Sequence, residues 1–150
     1  DQNTYSPLLL LLNVNEVQGL IRNEGIICLE NDGASCNDFQ SLLQKKEDYL
    51  NAFEVLAPTH LKTAISEIEH TPQAKYLSKL QTLVLHKQLC GNNAAESWFE
   101  KMTLHIEKYK KVIETSLHKI EQDACMQEKH FFSLILTIWS IFGIIILIMS

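Results

Sequence analysis

Apolar side chains recur three and four residues apart along nearly the whole chain and nowhere alternate long enough to read as a strand. Ser6 and Pro7 supply a cap and a first-turn proline for a helix running to about Arg22, where Asn23, Glu24 and Gly25 break it. Its five consecutive leucines, 8–12, cover every face, so the helix is buried all round or meets a partner. Residues 23–36 form a loop holding two Gly and two Cys. Asn37 with Gln40 resembles a capping box for a second helix, whose Phe39, Leu42, Leu43, Leu50, Phe53 and Leu56 repeat at helical spacing until Pro58. A short third helix covers 59–70, with Leu61, Ile65 and Ile68 on one face. Thr71-Pro72 opens a fourth, which Gly91 stops after Cys90.

After Gly91 there is no Pro, and no Gly until Gly143, so Asn93 and Glu96 start one helix predicted to run from about 94 to 149. Phe99, Met102, Ile106, Tyr109, Ile113 and Ile120 form its packing seam. Residues 131–149 carry no charge, and 15 of those 19 are apolar. As a helix they would reach about 29 Å, enough for a bilayer's hydrocarbon core. The predicted fold is therefore all-α. A small bundle of four to five helices spans 1–130, and its last long helix continues into a single C-terminal transmembrane helix, 131–150, with no cytoplasmic tail.

Composition changes this picture only by dividing it. The whole chain is 46% hydrophobic with a net charge of −5 and a mean hydropathy of −0.03, which averages a polar bundle with a charge-free end. The acidic balance and the single arginine, Arg22, exclude a nucleic-acid binder. A start at Asp1 rather than Met suggests a removed signal peptide, and four cysteines suit an oxidising compartment. Both favour a single-pass type I protein with an extracellular or lumenal domain. Lys111, Lys119 and Lys129 argue the other way, for a tail-anchored chain with a cytosolic domain.

Cys28, Cys36, Cys90 and Cys125 are the disulfide candidates. On a straight fifth helix Cys125 would lie about 45 Å from the Cys90 end, too far for a bond between them. The economical pairing is Cys28–Cys36 across the loop. The alternatives are Cys90 and Cys125 each tied to the loop, with helix five broken, or buried unpaired thiols.

Chemistry is scarce. No two histidines stand three to five apart, and Glu67-Ile68-Glu69-His70 gives one Glu-x-x-His where a di-metal bundle needs two. No nucleophile elbow, P-loop or dinucleotide fingerprint is present. The expectation is a non-enzyme with no cofactor, no metal and no evident small-molecule substrate. The sharpest interaction feature lies in the charge-free end. Ser133, Thr137, Ser140 and Gly143 line one side as a small-residue packing face, with Trp139 near its middle. The alternative for each hydroxyl is a bond to its own upstream carbonyl. Expected partners are the lipid bilayer and another membrane protein or a second copy. The function expected is that of an accessory or interaction subunit of a membrane complex, with a viral or gamete fusion or adhesion component as the alternative.

Overall fold

The computed structural model describes residues 5–30, 36–86 and 93–149, with side chains from Ser6 to Ile141 within them. Five helices follow in order: α1 Tyr5–Glu30, α2 Asn37–Leu56, α3 Thr59–Glu69, α4 Pro72–Leu85 and α5 Ala94–Met149. No strand occurs among the described residues. The chain divides into two compact units, Asp1–Ile113 and Glu114–Ser150.

The boundaries show where local propensity gives way to packing. α1 does not break at Asn23-Glu24-Gly25 but continues to Glu30. Gly25 is buried, and a Cβ built on it would collide with Trp98 Nε1. The missing side chain is thus what lets the indole of α5 reach the α1 backbone, and the helical cost of glycine, about 1 kcal/mol, is offset by that contact. α2 begins at Asn37 itself, with Cys36 in the cap position and no side-chain cap. A disulfide joins Cys36 to Cys28 of the last turns of α1, with Cα atoms 5.5 Å apart. Ala57 and Pro58 are extended between α2 and α3, and proline has no N–H to continue the α2 ladder. At α4 the cap reads as the sequence implies: the Thr71 hydroxyl accepts from the Ala74 amide at 3.1 Å, ahead of Pro72.

Within the first unit, α1 packs against α2 and α4, and α3 against α4. Toward the C-terminal end of α1 the core gathers Val17, Ile21, Cys28, Phe39, Leu77, Leu80, Val84, Trp98 and Met102. Phe39 meets the Trp98 ring edge-on, with centroids 5.7 Å apart. Toward the N-terminal end of α1 the buried set is Leu8, Leu11 and Val14, and α3 adds Leu61, Ile65 and Ile68. Gln18 and His105 are the buried polar side chains among the described residues.

The second unit is the remainder of α5, and every residue from Glu121 to Ile141 is exposed. Among the described residues no helix is long and apolar enough to cross a membrane. The expected transmembrane helix at 131–150 is therefore corrected, and with it the single-pass type I topology, the tail-anchored alternative and the lumenal or extracellular placement that rested on it. The physical reason is polarity: a stretch of membrane-spanning length that ends at Ile141 takes in Gln127, Glu128, Lys129 and His130, whose groups a hydrocarbon core would not accept.

Candidate functional site

α1 is apolar on the face it turns inward, with three polar interruptions. Asn15, Gln18 and Arg22 stand at i, i+3 and i+7, so they share that face with Val14, Val17 and Ile21. Opposite them α5 presents Trp98, Met102, His105 and Tyr109, all buried. The last turn of α3 adds Glu69 and α2 adds Lys46.

Arg22 ties the two helices at one end of this seam. Its Nη1 donates to Thr103 Oγ1 at 3.0 Å and its Nε to Asn23 Oδ1 at 3.4 Å. Its Cζ lies 4.4 Å from the Phe99 ring centroid, so the plane of the guanidinium is backed by an aromatic ring. The Trp98 indole N–H donates to the Arg22 carbonyl at 2.8 Å. Among the described residues no carboxylate pairs with this guanidinium. A guanidinium has five N–H donors in a rigid fork. Charge and donors therefore remain for a planar oxyanion.

One to two turns toward the N-terminus of α1 the chemistry changes sign. His105 Nε2 lies 3.2 Å from Glu69 Oε1, Tyr109 donates its hydroxyl to the same oxygen, and Lys46 Nζ is 4.0 Å away. Burial alone would raise the Glu69 carboxyl. The His105 hydrogen bond, the Lys46 charge and the Tyr109 hydroxyl outweigh it and hold the group at about 2. Burial, then the Glu69 charge, push Tyr109 far above the ordinary phenol range, so it stays a donor. Asn15 Oδ1, both amide atoms of Gln18 and His105 Nδ1 are buried without a protein hydrogen-bond partner among the described residues.

The residues singled out by sequence fall elsewhere or divide. Of the predicted seam, Met102, Tyr109 and Ile113 are buried, Ile106 is half-buried, Phe99 is exposed beneath Arg22, and Ile120 belongs to the second unit. Thr137 Oγ1 bonds the Ser133 carbonyl at 2.9 Å, and Ser140 Oγ the Thr137 carbonyl at 2.8 Å, so these hydroxyls are satisfied within their own helix. Trp139 is 74% exposed, and Gly143 lies outside the residues whose side chains are described. Cys125 is free and exposed, and Cys90 lies outside the described residues. Glu67 and His70 line an open groove with Glu54 and Lys62, and the His70 ring bonds back to Ser66. Among the described residues no three His, Cys, Asp or Glu side chains are placed to hold a metal ion. Asn15, Gln18, Arg22, Glu69, Trp98 and His105 make up the candidate site, and the pattern that marks them is polarity at core register on α1, α3 and α5.

A family model described as NIT, nitrate and nitrite sensing, matches residues 2–121. The chain belongs to that family. The match takes in the whole helical bundle and the beginning of the second unit. No curated protein and no solved structure matches the chain. That description names nitrate and nitrite as what members of the family sense.

Proposed function

We propose that this NIT chain is a ligand-sensing module that binds nitrate or nitrite at Arg22, in the seam between α1 and α5. The family match carries the ligand class. Arg22 locates the site, because it is the chain's single arginine and its flat donor fork is backed by Phe99 and steadied by Thr103. Nitrate and nitrite are planar acceptors without donors, which is the complement of a guanidinium edge. Binding without turnover suffices for this role, so no catalytic group is invoked. The accessory-subunit and fusion readings of the sequence have no comparable observation on their side.

The test is calorimetric titration of the 150-residue chain with sodium nitrate and sodium nitrite, with chloride and sulfate as controls. Binding of the planar anions is expected. Arg22→Ala should weaken it by about ten- to a hundredfold, the value of a charged hydrogen-bonding group. Arg22→Lys should recover little, since an ammonium lacks the fork. Full affinity in Arg22→Ala would remove the anion from this seam.

A further inference from the structure

The Cys28–Cys36 bond joins two helix ends that their own residues hold weakly. On the α1 side, Asn23 and Gly25 are poor helix formers, yet the helix continues to Glu30. On the α2 side, Cys36 sits in the cap position with no side-chain bond to the first turn. Each of these ends also supplies one wall around Trp98. Gly25 lies directly against the indole, and Phe39, three residues after Cys36, meets it edge-on at 5.7 Å. Cys28, Phe39 and Trp98 belong to one buried cluster, with Ile26, Leu29 and Cys36 packed against it. The indole N–H in turn donates to the Arg22 carbonyl at 2.8 Å. That carbonyl is also the helical acceptor for the amide of Ile26, four residues on. Arg22, Gly25 and Cys28 stand at i, i+3 and i+6, so a short run of direct contacts leads from the disulfide to the residue assigned to the anion.

We propose that the Cys28–Cys36 bond is a redox latch on the α1–α5 seam, through which a dithiol reductant lowers the affinity for nitrate or nitrite. The proposal rests on the reading of Arg22 as the ligand residue. Cys28 is buried and Cys36 only half-buried, so the bond is open to attack from the α2 side. One thiolate of the reductant attacks Cys36 Sγ, the S–S bond breaks, and Cys28 leaves as a thiolate that takes up a proton. The second thiolate of the reductant then attacks the mixed disulfide. Cys36 is released as a thiol and the reductant as its own disulfide, so two electrons and two protons have passed to the protein. Without the bond, residues 26–30 lose the tie that holds them in the helix beyond Gly25. The element with two states is this last part of α1. When it opens, Trp98 loses one wall and the Arg22 carbonyl loses its helical donor, so the guanidinium is no longer held in place.

Calorimetric titration of the 150-residue chain with sodium nitrate, with and without dithiothreitol, tests the latch. Reduction should weaken binding about tenfold, as for a binding-competent population of roughly one in ten. Cys28→Ser with Cys36→Ser should bind weakly under both conditions. Cys90→Ser with Cys125→Ser should keep the full response to reductant, which assigns it to this bond. Amide hydrogen exchange on the same samples locates the change. Reduction should speed exchange at residues 26–30 and at the Trp98 indole N–H, while α3 and α4 stay protected. Equal affinity in the two states, unchanged protection at 26–30, or a response lost with Cys90 and Cys125 overturns the proposal. Uniform loss of protection across α3 and α4 also overturns it, because the bond would then staple the whole bundle. If the oxidised chain binds no nitrate, the Arg22 reading fails by itself, and exchange at 26–30 and Trp98 still decides whether the latch opens.

Discussion

At the scale of single residues the bundle depends on a few contacts that permit no substitute. Gly25 is the clearest. A methyl group there would meet the buried Trp98 ring, which is held by its bond to the Arg22 carbonyl and cannot swing aside. Gly25→Ala should therefore destabilise by about 1–3 kcal/mol despite the better helix propensity of alanine. Urea unfolding would measure it, and Gly25→Ala with Trp98→Leu should recover part of the loss. Glu69 makes a second residue-scale prediction. Its folded pKa of about 2 lies below its ordinary value of 4.5, so it contributes stability above pH 4.5. That contribution drains away as the pH falls toward 2. Thermal midpoints over this window should fall, and the part due to this group should be missing in Glu69→Gln. Neither residue was legible as functional in the sequence. Glu69 looked like one more charge on an amphipathic helix. Gly25 looked like a helix stop, because propensity carries no information about an indole arriving from α5.

Helices and their connections were the most legible level, where capping chemistry is local. Thr71-Pro72 opens α4 as its residues imply, and Pro58 separates α2 from α3 for want of an N–H. α1 was underestimated by eight residues, since its true end is set by packing and by the bond between Cys28 and Cys36 rather than by Asn23 to Gly25. On the α5 face Met102, Tyr109 and Ile113 are buried, while Phe99 is exposed and Trp98 and His105 are buried in addition, because periodicity alone cannot say which flank of a stripe a neighbour will cover. The disulfide closes a short connection. On loop entropy alone it should contribute about 2.5 kcal/mol, so Cys28→Ser with Cys36→Ser should lower the free energy of unfolding by about that much. Added reductant should reproduce the effect in the unaltered chain and leave the double variant unchanged.

For the molecule as a whole, the division after Ile113 has a direct consequence. The buried groups of the first unit, including Arg22's neighbours and the Glu69 cluster, all lie before it. A chain ending at residue 121, the last residue of the family match, should keep a cooperative thermal transition and the anion affinity of the 150-residue chain, as circular dichroism and calorimetry would show. Loss of either would mean that the remainder of α5 contributes to the bundle. The charge-free end shows the limit of composition as a guide. Hydropathy summed over 131–149 implied a membrane crossing, yet no described helix is long and apolar enough to make one, since a reach of that length ending at Ile141 includes Gln127, Glu128, Lys129 and His130. The proposed ligand was never in the composition. The one arginine that excluded nucleic acid is also the residue best suited to a planar anion.

The contact between Trp98 and α1 also equips the protein with its own optical label. The chain has two tryptophans: Trp98 is fully buried and bonded to the carbonyl of Arg22, while Trp139 is largely open to solvent. A soluble quencher will silence Trp139 and spare Trp98. The surviving emission then comes from a fluorophore bonded to the backbone of the residue assigned to the ligand. Occupancy of the seam can in this way be followed in the unmodified chain by light alone, and a Trp139→Phe variant would make the reading free of background.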